Sequence, residues 1–195
     1  MKRIFDIIFS LLVLVFFLPF GVMIALIILF TSKGGVFYLQ ERIGKGGKPF
    51  KLYKFRTMRI NADKQGRLTV GMKDHRITTI GVWLRKYKID EFPQFLNVLE
   101  GTMSVVGPRP EVKEFTDLYT QEQRNVLGVK PGITDYASIE YFDENRLLGL
   151  SEDPHKTYVE EIMPAKLKLN QKYVEHPTII HDLKIIGLTI KKMLS

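Results

Sequence analysis

Ile7-Ile8-Phe9-Ser10-Leu11-Leu12-Val13-Leu14-Val15-Phe16-Phe17-Leu18-Pro19-Phe20-Gly21-Val22-Met23-Ile24-Ala25-Leu26-Ile27-Ile28-Leu29-Phe30 carries no charged side chain, and only Ser10, Pro19 and Gly21 interrupt its apolar character. As straight helix, at about 1.5 Å per residue, such a run reaches about 36 Å, more than the roughly 30 Å hydrocarbon layer of a bilayer. It is longer than the ~7–15 apolar residues of a signal peptide and no small-x-small cleavage site follows it. Two membrane readings remain, a single-pass anchor and a segment that turns back. The flanks favour the second. Lys2 and Arg3 precede the run, and Lys33, Arg42, Lys45, Lys48, Lys51, Lys54, Arg56 and Arg59 follow it. Positive charge is held on the cytoplasmic side, so both ends are drawn to one face. Pro19 lies near the middle and lacks the amide of its own helical bond, with Gly21 easing the backbone beyond. The expectation is a re-entrant helix-break-helix over residues 1–32, broken at Pro19, ahead of one cytoplasmic domain over 33–195.

The chain has 195 residues and a formal charge of +8, from 29 Lys plus Arg against 21 Asp plus Glu. A domain of this size carries one core and one site, and the positive balance implies an anionic partner without choosing among nucleic acid, lipid head groups and phosphorylated substrates. The absence of cysteine removes disulfides, thiolate metal sites and a thiol nucleophile. None of His75, His155, His176 and His181 has metal-ligand spacing. Covalent chemistry, if any, must therefore use oxygen or nitrogen.

Beyond the apolar run the expected class is α+β, mainly helical, with a short β-hairpin and surface amphipathic helices. Gly34-Gly35 reads as a turn, Val36 to Gln40 as a strand, and residues 50–58 alternate apolar and basic side chains as a second strand presenting Lys54 and Arg56 on one face. Residues 61–76 read as a polar loop and 81–87 as a helix. Residues 182–194 repeat Leu183, Ile186, Ile190 and Leu194 at helical spacing with Lys184, Lys191 and Lys192 beside the stripe. That pattern suits a helix lying on an anionic membrane, and equally one packed on the core.

The most informative stretch is Ile89-Asp90-Glu91-Phe92-Pro93-Gln94. Phe92, Phe95, Leu96 and Leu99 recur at helical spacing and Pro93 is tolerated only in a first turn, which places Asp90 and Glu91 at a helix N-terminus. There the free amides attract phosphate and hold a carboxylate ionised, as a carboxylate nucleophile requires. The simpler alternative is that Asp90 only caps the helix. An Asp-Glu pair alone is weak, since Asp143-Glu144 is a second. In Gly107-Pro108-Arg109-Pro110, two prolines stiffen the backbone around one guanidinium, which preorganises Arg109 for bidentate phosphate contact. Lys54 and Arg56 are further phosphate-binding candidates, although surface cations more often meet only water or lipid head groups.

Lys54-Phe55-Arg56-Thr57-Met58, Ile89-Asp90-Glu91-Phe92-Pro93-Gln94, the stretch from Asn97 to Pro110 and Lys130-Pro131-Gly132-Ile133-Thr134 together resemble the bacterial sugar transferases, the monotopic phosphoglycosyl transferases. The resemblance runs in order from Lys2 to Ile190. It implies that Asp90 attacks the sugar-linked phosphate of a UDP-sugar, releasing UMP, and that polyprenol (undecaprenyl) phosphate then takes the phosphosugar from the aspartyl intermediate. It further implies Glu91 as ligand of a Mg²⁺, Arg109 as phosphate binder, a re-entrant helix, residence on the cytoplasmic face of the bacterial inner membrane, and the first membrane step of glycan assembly. No role for nucleic acid is expected, and a homodimer is left open. Departures from the family pattern are Leu18 in place of a common Ser, Asp135-Tyr136 in place of Gly-Trp, Glu140 to Asn145 in place of an Asn-Gly-Arg stretch, and Asn170 where an Asp is frequent. The region 135–153 therefore suggests a sugar preference of its own. A rival from another class is a membrane-tethered basic binding or scaffold module, which would show no turnover.

Overall fold

The computed structural model describes residues 1–62 and 74–194. The apolar run forms α1, Lys2–Thr31, one helix that continues through Pro19. The expected break at that proline is thus corrected: the helix forgoes one amide bond and goes on. Its compensation is tertiary. Asp6, Ser10, Ile24 and Ile28 are buried along one stripe, while Phe16 and Phe30 on the other faces are 78 % and 83 % exposed. Among the described residues this is the one helix long and apolar enough to cross a membrane.

Both ends of α1 are fastened to the rest of the chain. Lys2 Nζ donates to Asp182 Oδ2 at 2.5 Å and to the Val106 carbonyl at 3.1 Å, and Arg3 bonds the Val98 and Leu99 carbonyls. Asp6 accepts from the Ser104 hydroxyl and, at 3.1 Å, from the Val105 amide. Toward the other end, Ile24 and Ile28 pack with Phe55 and Leu84. These contacts offset the roughly 3 kcal/mol that an interior proline costs a helix.

Positive-φ glycines 34 and 35 turn the chain into an antiparallel hairpin of β1 (Phe37–Ile43) and β2 (Pro49–Phe55), with Phe37 opposite Phe55 and Ile43 opposite Pro49. The first strand starts one residue later than the sequence suggests and runs to Ile43. The second stops at Phe55, so the alternation expected to carry on to residue 58 does not extend to Arg56. The loop expected at 61–76 lies largely outside the described residues. After it comes α2 (Thr79–Lys86), whose Thr78 hydroxyl accepts from the Gly81 amide as an N-cap.

Next, α3 (Gln94–Glu100) packs on β2 through the fully buried Asn97, whose Nδ2 donates to the Lys51 carbonyl and whose Oδ1 accepts from the Tyr53 amide. Strands β3 (Ser104–Val106) and β4 (Gly132–Thr134) pair in parallel, Ser104 beside Gly132. The backbones touch there: a Cβ on Gly132 would stand 2.1 Å from the Gly107 amide nitrogen, so only glycine fits. Short helices α4 (Lys113–Thr116), α5 (Tyr136–Glu140), α6 (Glu144–Gly149) and α7 (Pro154–Thr157) lead into the long α8 (Met163–Glu175) and α9 (Ile179–Leu194). One apolar cluster joins α3, β3 and α9 around Val98, Met103, Val106 and Ile185, and another gathers Phe115, Leu148, Tyr158 and Leu167. The mixed, mainly helical class with a small sheet is the one the sequence suggests.

Candidate active site

A cleft of about 940 Å³ opens between the hairpin, the α2–α3 junction, the loop after β3 and the α5–α6 segment. The junction is built by Lys88, whose left-handed φ of 55° ends the path of α2 and starts a single 3-10 turn, Ile89–Glu91. That turn divides its side chains. Ile89 joins the apolar cluster under α1, while Asp90 and Glu91 line the cleft. Phe92 stacks on Phe17 of α1, ring centroids 4.0 Å apart. Pro93 then caps α3. The two carboxylates therefore precede the helix by one turn and do not sit on its first residues.

Glu91 is held on both sides. Arg109 reaches it with two nitrogens, Nη1 lying 2.9 Å from Oε2 and Nη2 meeting Oε1, and Lys54 Nζ stands 3.1 Å from Oε1. Burial raises the pKa of such a carboxyl, but the neighbouring Arg109 and Lys54 outweigh it and hold Glu91 well below the usual glutamate range. Arg109 in turn is shifted up, chiefly by Glu91. Burial shifts Lys54 down, with Glu91 opposing.

Asp90 is in a different state. Only 5 % exposed, its carboxylate accepts no hydrogen bond among the described residues. Burial pushes its pKa up, with Lys54 pulling the other way and Glu91 adding to the rise. Burial, and not the expected helix terminus, sets its acidity. The result is one ionised, clamped carboxylate beside one desolvated, uncommitted carboxylate.

Of the residues singled out from the sequence, Asp90, Glu91, Lys54 and Arg109 come together. Arg56 lines the same cleft, but its guanidinium bonds the Gly35 and Phe37 carbonyls at 3.0 Å each and lies over the Tyr38 ring. Pro19 sits two residues beyond the stacked Phe17. The Arg109 loop is itself fixed by Asp135, fully buried, which accepts from the Arg109 amide at 3.0 Å and caps α5 through the Ser138 amide. The departure from the family pattern at Asp135 is therefore a positioning contact.

Sequence reasoning missed a second ionic group on the cleft wall. Glu111 meets Arg42 at 3.3 Å and bonds the Tyr158 hydroxyl, and Lys166, 3.9 Å from Glu111, pairs with Glu144 at 2.6 Å. Arg42 and Lys166, set against the burial that raises it, hold Glu111 below its ordinary value. Glu111 follows the Pro-Arg-Pro loop directly, which is a local signal; Lys166 and Glu144 have none. Lys88, next to the carboxylate turn, lies 5.1 Å over the Phe142 ring, so the region 135–153 touches the segment that carries the two carboxylates. Asn170 is buried beneath the Arg109 loop, its Oδ1 without a partner among the described residues.

Among the described residues no group of three or more His, Cys, Asp and Glu side chains gathers as a metal cage. A Mg²⁺ shared with substrate phosphates needs only one or two carboxylates, which Asp90 and Glu91 supply on one wall.

A buried carboxylate pair beside an arginine and a lysine, on a chain carrying a long apolar helix, is an arrangement chemically suited to a phosphate group. The chain belongs to the bacterial sugar transferase family, whose model matches residues 1–195. It is 47 % identical over 121 residues, covering 62 % of this chain and 68 % of the relative, to a putative undecaprenyl-phosphate N-acetylgalactosaminyl 1-phosphate transferase of Bacillus subtilis (strain 168). Over the whole chain it is 34 % identical to the UDP-N-acetylgalactosamine-undecaprenyl-phosphate N-acetylgalactosaminephosphotransferase of Aeromonas hydrophila. Over 98 % of the chain it is 35 % identical to the UDP-glucose:undecaprenyl-phosphate glucose-1-phosphate transferase of Escherichia coli (strain K12). It spans 44 % and 40 % of those two proteins' lengths.

Proposed function

We propose that this protein transfers a sugar 1-phosphate from a UDP-sugar to polyprenol phosphate in two displacements at phosphorus. An Asp90 carboxylate oxygen attacks the sugar-linked phosphorus of the donor, the bond from that phosphorus to the bridging oxygen breaks, and its electron pair leaves with UMP. A phosphate oxygen of polyprenol phosphate then attacks the same phosphorus. The Asp90–phosphorus bond breaks, the carboxylate is restored, and a polyprenyl diphosphate sugar is formed.

The observation that carries this reading is the asymmetry of the two carboxylates: Glu91 is paired with Arg109 and Lys54, whereas Asp90, buried beside it, accepts no hydrogen bond among the described residues. Phosphoryl transfer needs positioning and charge compensation more than acid–base help. Arg109 and Lys54 supply fixed cations beside Asp90 for the donor diphosphate. Glu91 would hold a Mg²⁺ through the lone pairs its oxygens keep beyond Arg109 and Lys54, and that ion would supply further charge neutralisation at the departing nucleotide.

Residues 1–32 form the membrane element of this reading, and 33–195 the catalytic domain on the cytoplasmic side. A straight crossing would carry one end of a 30-residue helix about 45 Å away. One end of α1 is instead bonded to the domain through Lys2, Arg3 and Asp6 and the other packs on it through Ile24 and Ile28, which supports a segment bent at Pro19 without loss of helix that enters and leaves the bilayer on the same face, its uncovered apolar side in lipid. The product would serve the first membrane step of glycan assembly.

The test is to incubate the purified protein with a panel of UDP-sugars, Mg²⁺ and polyprenol phosphate. UMP, a donor-only burst of UMP and a phosphosugar mass adduct on Asp90 are expected. UDP as the product would point to cleavage of the sugar–oxygen bond instead, and an Asp90→Asn variant with the unmutated burst would remove the nucleophile. No turnover with any donor would leave the binding-module reading. Indifference to the sugar would dispose of a preference encoded in 135–153.

A further inference from the structure

The cleft does not end at its polar groups. It continues into an apolar trough lined by Phe9 and Val13 of α1, by Ile133 of β4, and by Ile186, Ile190 and Leu194 of α9. The two helices are pinned to each other at their N-terminal ends by the Lys2–Asp182 pair at 2.5 Å, with the Tyr173 hydroxyl bonding the same carboxylate. Further along, the Thr134 and Thr189 hydroxyls, 2.6 Å apart, fix α9 to β4. These ties hold the trough open as a built feature. Ile190 and Leu194 remain 53 % and 83 % exposed, whereas Asp90 is 5 % exposed.

Resting on the reading above, in which the acceptor is polyprenol phosphate, we propose that this trough seats the acceptor's isoprenoid chain and delivers its phosphate to the Asp90 end of the cleft. Two observations select that occupant. First, these apolar side chains line the same cleft as Arg109 and Lys54, which matches a single hydrocarbon chain ending in phosphate. A nucleotide or sugar laid against Phe9, Val13 and Ile186 would leave polar groups unpaired. Second, α9 carries Lys184, Lys191 and Lys192 beside its apolar stripe. That pairing of apolar and basic faces fits a helix at an anionic lipid surface, from which such a chain must come.

The experiment uses the full chain in vesicles of phosphatidylethanolamine and phosphatidylglycerol, with the UDP-sugar that gives the largest UMP burst. Because both side chains are exposed, Ile190→Ser combined with Leu194→Ser leaves the core intact. The double variant is expected to raise KM for undecaprenyl phosphate at least about tenfold, since burying one branched side chain contributes at least that factor. The donor-only burst, and KM for the three-unit farnesyl phosphate, should stay as in the unsubstituted protein. An unchanged KM for the long acceptor, with the burst intact, overturns the proposal. An equal rise for both acceptors does so too, because the loss would then concern the phosphate and not the chain. Absence of a burst in the unsubstituted protein overturns the transferase reading itself and the seat with it.

Discussion

Phe17, in the middle of the apolar helix, stacks on Phe92, the residue that directly follows Glu91, with ring centroids 4.0 Å apart and planes 19° from parallel. The apolar helix and the carboxylate turn are thus one packed unit. Phe17→Ala removes this stack and the contact with Phe55. It should lower stability by about 2–3 kcal/mol and slow the UMP burst, whereas Phe16→Ala, on the exposed face, should do neither. Thermal melts and rapid-quench assays of the two variants check this.

Asp90 is buried and accepts no hydrogen bond among the described residues, and burial raises its pKa, so its charge works against the fold. Asp90→Asn should abolish the burst and yet raise the thermal midpoint by a few degrees at neutral pH, about 1 kcal/mol. The pH dependence follows in sign. Burial raises this pKa, so the nucleophilic form disappears as pH falls, at a pH above the ~3.9 of an ordinary aspartate. The acidic limb of the burst rate should lie correspondingly high. A limb at or below ordinary aspartate values would contradict the assignment.

Glu91 behaves in the opposite sense. Arg109 and Lys54 depress its pKa, so its contribution to stability is present above the unfolded value of ~4.3 and is lost as pH falls through the lower folded value. Arg109→Ala leaves this buried carboxylate with Lys54 alone and should cost about 2–4 kcal/mol. Adding Glu91→Gln should recover part of that loss. A double-mutant cycle by denaturant unfolding at pH 7.5 should give a coupling of about 1–3 kcal/mol, and simple additivity would show that the pair is not coupled.

Gly132→Ala tests the backbone contact beneath the arginine loop. Its methyl group would meet Gly107 backbone atoms at 2.1–2.7 Å, which neither strand can yield without moving Arg109. Loss of more than a hundredfold in kcat/KM is expected, with the hairpin intact by amide hydrogen exchange. Gly128→Ala, with no atom near the added carbon, is the control and should be silent.

The sequence exposed the chemistry better than its setting. Asp90, Glu91 and Arg109 lie close along the chain and their neighbours restrict the backbone, so their meeting follows from local pattern. Lys54 is legible from strand alternation, and Arg56, read on the same strand, lies one residue past the end of β2 yet lines the same cleft, because no local rule marks where a ladder stops. Pro19 was read as a break because a proline's cost is local. The bonds that outweigh it, from Lys2, Asp6 and Ile28, join residues 50 to 180 positions apart or pack elements that only the fold brings together. Lys166 and Glu144 are hidden for the same reason, whereas Glu111 has the local signal of directly following Pro110.

Asn97 has a further consequence. Its amide takes the Lys51 carbonyl and the Tyr53 amide on the side of β2 turned away from β1, performing with one side chain the task of a neighbouring strand. The hairpin accordingly offers no open ladder at those positions for another polypeptide to extend. Lys54, one residue along, is held in step with Glu91 by a bolt that a substitution as mild as Asn97→Leu would withdraw.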